Sequence, residues 1–364
     1  MRYSLKEKPD IKLVVATILA ALYGLLLIIS AVKSDPSKSK IIIQSIGILG
    51  GIGIMFWLAY MDYQIILCLN KLIFAFYCAM LILVLLIGHG GDSVGTVGWI
   101  ALGPINIQPS EFAKIGFIIT FSCHIASVQD DINKPKNLIL LLLHLCVPLA
   151  LILMQPDYGT GMVFIFIAIA MLFYAGVKLK YFLMAGGSFA AVAPLLWLFV
   201  LDEFQKDRIR VFLSPESDPM GSGYNVLQSK LAVGAGEFFG KGLFEGTQIQ
   251  LGYLPGKHTD FIFAVAGEEL GFIGCLLVIA LLGYIIYRII TSANTIKSSS
   301  GGLVCMGVAA MFIFQAFENI GMCIGIMPVT GIPLPFFSYG GSSILTSFIA
   351  IGLVLSVIRQ KDTF

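Results

Sequence analysis

Ten apolar runs, each about 20 residues long, dominate the chain: 11–32, 41–60, 65–88, 110–127, 137–154, 159–176, 181–201, 259–290, 301–325 and 336–358. A hydrocarbon core of about 30 Å takes about 20 residues of α-helix to cross. Open strands cannot satisfy their backbone in lipid, so each run is predicted to be a helix. The expected fold is all-α and polytopic: ten transmembrane helices, with one long extracytoplasmic loop, 202–258, between helices 7 and 8. The first run is too long for a cleaved signal peptide and lacks a small-residue cleavage site before Lys33. Residues 1–364 read as one membrane domain.

Composition agrees. Only 12 % of the side chains are charged and 58 % are hydrophobic, whereas an ordinary soluble domain is about a quarter charged. The net charge of +2, with no clustered basic face, excludes a nucleic-acid partner. The seven cysteines are scattered without a C-x-x-C, and the four histidines form no H-x-x-x-H pair. No structural metal is expected.

Lys and Arg counts orient the spans. With the N-terminus cytoplasmic, the inner segments hold 13 of them, while the loops 88–110, 155–158 and 326–335 hold none. Both termini are then cytoplasmic, and every loop with unusual chemistry lies outside. The Gly-rich stretch 234–242 lacks P-loop spacing, because Ala235 and Gly242 stand where Gly and Ser/Thr are needed.

Ionisable groups inside spans are functional candidates by default. Glu111 and Lys114 open the fourth run at i,i+3. A cation in the first turn opposes the helix dipole, so Lys114 needs Glu111 as a partner, either as a plain anchor or as a cavity wall. Asp157 heads the next helix after Gln155-Pro156. Glu268 and Glu269 lie about 12–14 Å below the start of the eighth run at about 1.5 Å per residue, and Glu318 sits near the outer end of the ninth. An outward-opening polar cavity accounts for all three. In the long loop, Arg208, Arg210, Lys230, Lys241 and Lys257 suit a pyrophosphate or anionic headgroups.

Four motifs together resemble the SEDS membrane proteins (shape, elongation, division and sporulation). They are Gln108-Pro109-Ser110-Glu111 with Lys114, Gln155-Pro156-Asp157 with Gly159-Thr160, His258-Thr259-Asp260-Phe261 running to Gly271, and Pro333 to Ser343. The similarity runs from about residue 11 to 359, and Gly246-Thr247-Gln248 with Ile332 to Pro335 is closer to the RodA-like elongation branch than to the division branch. The resemblance implies a peptidoglycan glycosyltransferase polymerising lipid II at the outer face of the cytoplasmic membrane. It implies Asp260 as the catalytic residue and Glu111 with Lys114 as a pair near the active cavity. It also implies a class B penicillin-binding protein as transpeptidase partner, among other elongation-complex membrane proteins. Two departures stand out: Gly98 precedes Trp99 where the family usually has Arg or Lys, and Gly256 follows Pro255 where it usually has Glu.

On this reading Asp260 is a general base on the acceptor sugar hydroxyl. Arg208 and Arg210 stabilise the departing pyrophosphate, while Asp157, Lys257, His258, Glu268 and Ser338 complete the cavity. A carboxylate on the first turn of a helix is a weak base, a handicap that burial near Glu268 would offset. No cofactor is required; a divalent cation, Mg or Mn, is compatible with the chemistry but is not demonstrated by the residues. The alternatives are a lipid II flippase, which predicts important charges on both faces, and a non-catalytic scaffold, which predicts loss of the acid in the His258–Phe261 motif.

Overall fold

The computed structural model describes residues 9–33, 39–90, 97–102, 105–199, 206, 210–218 and 221–360. Its helices are α1 Ile11–Ala31, α2 Ser39–Tyr60, α3 Tyr63–Cys68, α4 Asn70–Ile87, α5 Pro109–Ser127, α6 Pro135–Leu153 and α7 Tyr158–Tyr174. They continue as α8 Leu179–Phe199, α9 Ser222–Ala235, α10 Thr247–Gln250, α11 Ile262–Ala293, α12 Ser299–Ile324 and α13 Gly341–Arg359. Among the described residues seven helices, α1, α2, α4, α6, α11, α12 and α13, are long and apolar enough to cross a membrane. The chain is a multi-pass membrane protein. Helix α7 is a shorter apolar helix of 17 residues, and α8 is apolar over Leu179–Leu195. Helix α5, with Glu111, Lys114 and His124 along it, falls outside the seven.

Three features depart from the expected pattern. The third run is broken at Leu69 into α3 and α4. The 88–110 loop contains a short antiparallel hairpin, β1 Ile100–Leu102 with β2 Ile105–Ile107. The stretch expected as a long loop contains the 14-residue helix α9, which packs on α11 and α12.

Close packing of small residues holds the centre together. On α2, Gly51 faces the Phe348 ring of α13, where a Cβ would stand 2.3 Å from it, and Gly47 faces Ile344. The Gly267/Gly271 pair of α11, at the same i,i+4 spacing, does something else. Gly271 adopts φ 65°, ψ −156° inside α11 and breaks it, a conformation open in practice only to glycine. A broken helix leaves backbone groups that lipid cannot satisfy, so they must be paired inside the protein. The segment 237–242 does this. Lys241 N and Gly242 N donate to the carbonyls of Glu268 and Glu269 (2.9 and 3.0 Å), while Phe272 N and Ile273 N donate to Glu237 O and Phe238 O (2.9 and 3.3 Å).

Candidate active site

The motif loops gather at one end of the helices. At the opposite end, Asp10 caps α1 and receives Arg288 of α11, so the N-terminus of α1 and the C-terminus of α11 share a side.

Asp260 does not lie on the first turn of α11, as the apolar run suggested. Gly256 at φ +67° starts a turn in which Thr259 N and Phe261 N both donate to Gly256 O (3.0 and 3.1 Å). That closure keeps residues 257–261 out of the helix, which begins at Ile262. Three successive carbonyls of the turn are then clamped. Tyr339 N donates to His258 O (2.8 Å), Ser338 Oγ to Thr259 O (2.6 Å) and Asn319 Nδ2 to Asp260 O (2.9 Å). Asn319 Nδ2 also holds Ile332 O at 2.8 Å. Ser338 Oγ in turn accepts from Leu334 N (2.8 Å), and Gln44 of α2 brackets this segment through Ser338 O and Gly340 N. The backbone of the Asp260 turn is thus immobilised from α2, from α12 and from 332–340.

The carboxylate itself is left available. Asp260 is half-buried, and among the described residues no donor bonds its carboxylate. Its Oδ2 lies 3.9 Å from the positions where Gly256 and Gly331 would carry a Cβ. Burial pushes its carboxyl up from 3.8 to about 6, because removing water penalises the charged form.

The other acids are engaged. Glu268, expected beside Asp260, is fully buried, and four donors from 241–249 take its oxygens: Lys241 Nζ 2.9 Å, Thr247 Oγ1 3.1 Å, Gln248 N 2.9 Å and Ile249 N 3.0 Å. Glu269 accepts from Ser30 Oγ and Gln250 Nε2. Among the described residues, Glu318 of α12 lies within electrostatic reach of Asp260, and it accepts from Thr330 Oγ1.

Glu111 and Lys114 form a buried ion pair, Nζ to Oε1 2.6 Å. Asp157 Oδ1 caps α7 through Thr160 N (3.0 Å), and its Oδ2 accepts from Gln108 Nε2 (3.4 Å). Gln108 N donates to Ser342 Oγ (3.0 Å), so Gln108 ties three motifs together. Lys257 is buried and donates to Ile249 O at 2.6 Å, and the His258 ring packs on Tyr339. Arg210 is exposed and helical, as are 211–213; Arg208 lies outside the described residues. Sequence reasoning missed Asn319 and Gln44, whose only sequence signal is a buried amide within an apolar run. Among the described residues no three His, Cys, Asp or Glu side chains form a cradle for Mg or Mn.

An open cavity of about 470 Å³ adjoins the turn, with Lys40, Gln250, Gly256, Lys257 and His258 in its wall.

A family model for the FtsW/RodA/SpoVE cell cycle proteins matches residues 11–363. Stage V sporulation protein E of Bacillus subtilis is 36 % identical, covering 98 % of each chain. The peptidoglycan glycosyltransferase MrdB of Escherichia coli K12 is 37 % identical over 79 % of this chain and 78 % of its own. Among solved structures, a chain from a peptidoglycan synthase complex, solved to show how polymerization and crosslinking are coordinated, superposes with TM-score 0.84 at 28 % identity. That match covers 98 % of this chain and 99 % of the other. Thermus thermophilus RodA superposes with TM-score 0.73 at 28 % identity, covering 97 % and 98 %.

Proposed function

The chain belongs to the FtsW/RodA/SpoVE family, and from that premise we propose that it is a peptidoglycan glycosyltransferase whose general base is Asp260. Glycan strands grow from lipid II. The Asp260 carboxylate takes the proton of an acceptor sugar hydroxyl. That oxygen attacks the anomeric carbon of a lipid-pyrophosphate-linked glycan with inversion, and the pyrophosphate leaves with the bonding electron pair. A base with a carboxyl near 6 is still largely ionised at neutral pH and more basic than an ordinary aspartate.

The observation that carries this reading is the contrast among the acids. Every other motif acid has a hydrogen-bonded partner, whereas Asp260 has a clamped backbone and a carboxylate with no donor among the described residues. Preorganisation of this kind serves a reacting group better than a structural one.

Ten crossings, both termini inside and the site on the outer face follow from the ten apolar runs and the Lys/Arg asymmetry. The single membrane domain, 1–364, includes the long 202–258 stretch between the seventh and eighth spans. A class B penicillin-binding protein fits as partner because the neighbour at TM-score 0.84 works in a complex that couples polymerization to crosslinking. A role in elongation fits the likeness to MrdB. Glu111–Lys114 and Asp157 act as positioning groups that fix the loops facing the substrate. Reconstitution of the full chain with lipid II tests the core claim: Asp260→Ala should make no glycan polymer, and undiminished polymer from that variant would overturn it.

A further inference from the structure

Glu318 fits neither the pattern of Glu268 nor that of Asp260. It is fully buried in α12. Among the described residues its Oε2 takes no hydrogen bond, and its Oε1 accepts from Thr330 Oγ1. Glu268, equally buried, takes four hydrogen bonds. A buried carboxyl with so few donors adds little to stability, because one hydrogen bond does not offset the hydration it has lost. What the bond secures is the place of Thr330.

Thr330 precedes Gly331, and Gly331 faces the Asp260 carboxylate. A Cβ at Gly331 would stand 3.9 Å from Asp260 Oδ2, as would one at Gly256, so two glycines flank this oxygen. The Gly256 side is set by the turn itself. The Gly331 side hangs from α12, where successive residues hold the chain before and after it. Glu318 takes the Thr330 hydroxyl, and Asn319 Nδ2 takes Ile332 O at 2.8 Å. The start of α7 backs Thr330, since a Cβ at Gly159 would stand 3.0 Å from Thr330 O. Asn319 also holds Asp260 O. Neighbouring residues of one helix thus fix both the acid and the wall beside its carboxylate.

We infer that Glu318 is a positioning residue of the reaction: through Thr330 it holds Gly331 at the spacing that lets an acceptor hydroxyl reach Asp260 Oδ2. The inference rests on the reading of Asp260 as general base. Reacting groups tolerate little displacement, and a misplacement of about 1 Å costs on the order of a hundredfold in rate. The task assigned to Glu318 needs an acceptor oxygen at the Oε1 position and no charge, so a glutamine amide can perform it.

The experiment reads kcat, KM and thermal midpoint together, on the full chain reconstituted with lipid II. Glu318→Leu removes the acceptor and leaves apolar atoms in its place. It should lower kcat by roughly ten- to a hundredfold, with KM held within about twofold. The midpoint should stay or rise, because an apolar side chain of similar volume is tolerated better than a poorly bonded carboxyl. Thr330 is partly exposed, so its freed hydroxyl turns to water. Glu318→Gln should recover most of the lost kcat. Thr330→Val cuts the same bond from the loop side and covers the case of a Glu318 variant that does not fold. It should lower kcat to a similar degree, and Thr330→Ser should restore it. The double variant, Glu318→Leu with Thr330→Val, should be no slower than the slower single one, since both cut one link. A midpoint that falls in step with kcat, wild-type kcat in Thr330→Val, or losses that multiply in the double variant would each overturn the inference. Failure of the underlying reading looks different: Asp260→Ala would polymerise lipid II whatever the Glu318 and Thr330 variants do.

Discussion

Asp260 and Glu268 stand eight residues apart in one stretch of chain, and their carboxylates meet opposite environments. Glu268 is fully buried and takes four hydrogen bonds, from Lys241, Thr247 and two backbone amides. These bonds fasten the strap 241–249 to the broken helix α11. Asp260 takes no hydrogen bond on its carboxylate among the described residues, while its backbone carbonyl is held by Asn319. An ionised group deep in a membrane protein is a functional candidate by default. On the proposed function, depth alone does not separate the two roles and the distribution of donors does: donors on the carboxylate make Glu268 a fastener, while donors on the surrounding backbone leave the Asp260 carboxylate bare for the proposed reaction.

Substitution should separate the two roles most widely at Asp260. Asp260→Asn is expected to lower lipid II polymerisation by roughly 10²–10⁴, the usual contribution of a positioned general base. The thermal midpoint should not fall. The folded carboxyl titrates near 6, above its ordinary 3.8, so its stabilising contribution is complete only below the ordinary value and is lost as pH rises through about 6. At neutral pH the ionised form therefore weighs against the fold, and the amide leaves the midpoint unchanged or raised. In the wild type, polymerisation should climb with pH through about 6 and then level off. A limb near the ordinary aspartate value would show a solvated Asp260 and break the contrast.

Glu268→Ala should behave in the opposite way. It strands Lys241 without its counter-ion and leaves Gln248 N and Ile249 N without their acceptor. Each backbone donor left without an acceptor costs about 1–3 kcal/mol, and the lost partner of Lys241, whose side chain is 30 % exposed, adds to that. The expected readout is a large fall in thermal midpoint and in the yield of folded protein, with the pH limb near 6 retained by the molecules that fold. A stable Glu268→Ala protein that has lost turnover alone would place both acids in the reaction.

The two acids were unequally legible in the sequence. Helical runs were readable because lipid forbids unpaired backbone, which leaves apolar stretches of this length one solution. The proposal for Asp260 comes from its motif. The role of Glu268 was not readable, since counting helical positions from Asp260 assumes one continuous helix, and the Gly256 turn keeps Asp260 outside α11. The break at Gly271 was hidden because apolar residues continue on both sides of it, and a glycine there reads equally well as a packing contact. The short hairpin at 100–107 has strands of three residues, too few to show an alternating pattern. The clamps Asn319 and Gln44 act across 59 and 294 residues of sequence respectively, a relation that no local spacing carries.

Gly271→Ala probes the fastener without touching a charge. An added Cβ would stand 2.4 Å from Gly240 N and 2.7 Å from Phe238 O, at a φ of 65° that side chains rarely adopt. Strain of this kind costs about 1–3 kcal/mol before any clash is counted. The midpoint should drop by less than in Glu268→Ala, and amide hydrogen exchange should speed up in 237–242, the segment bonded across the break. Unchanged exchange there would mean that the strap is held by Glu268 alone.

Ser338→Ala gives the smallest effect and the finest test of the clamp on Asp260. The hydroxyl donates to Thr259 O and accepts from Leu334 N, so its loss removes two hydrogen bonds worth about 1 kcal/mol each. The carboxylate keeps its burial, and the pH limb should therefore stay near 6 while the plateau rate falls several-fold. Removing a clamp misplaces the base without altering its affinity for protons. If the limb moved with the plateau, Ser338 would be acting on the carboxylate itself, and the division between a held backbone and a bare side chain would have to be redrawn.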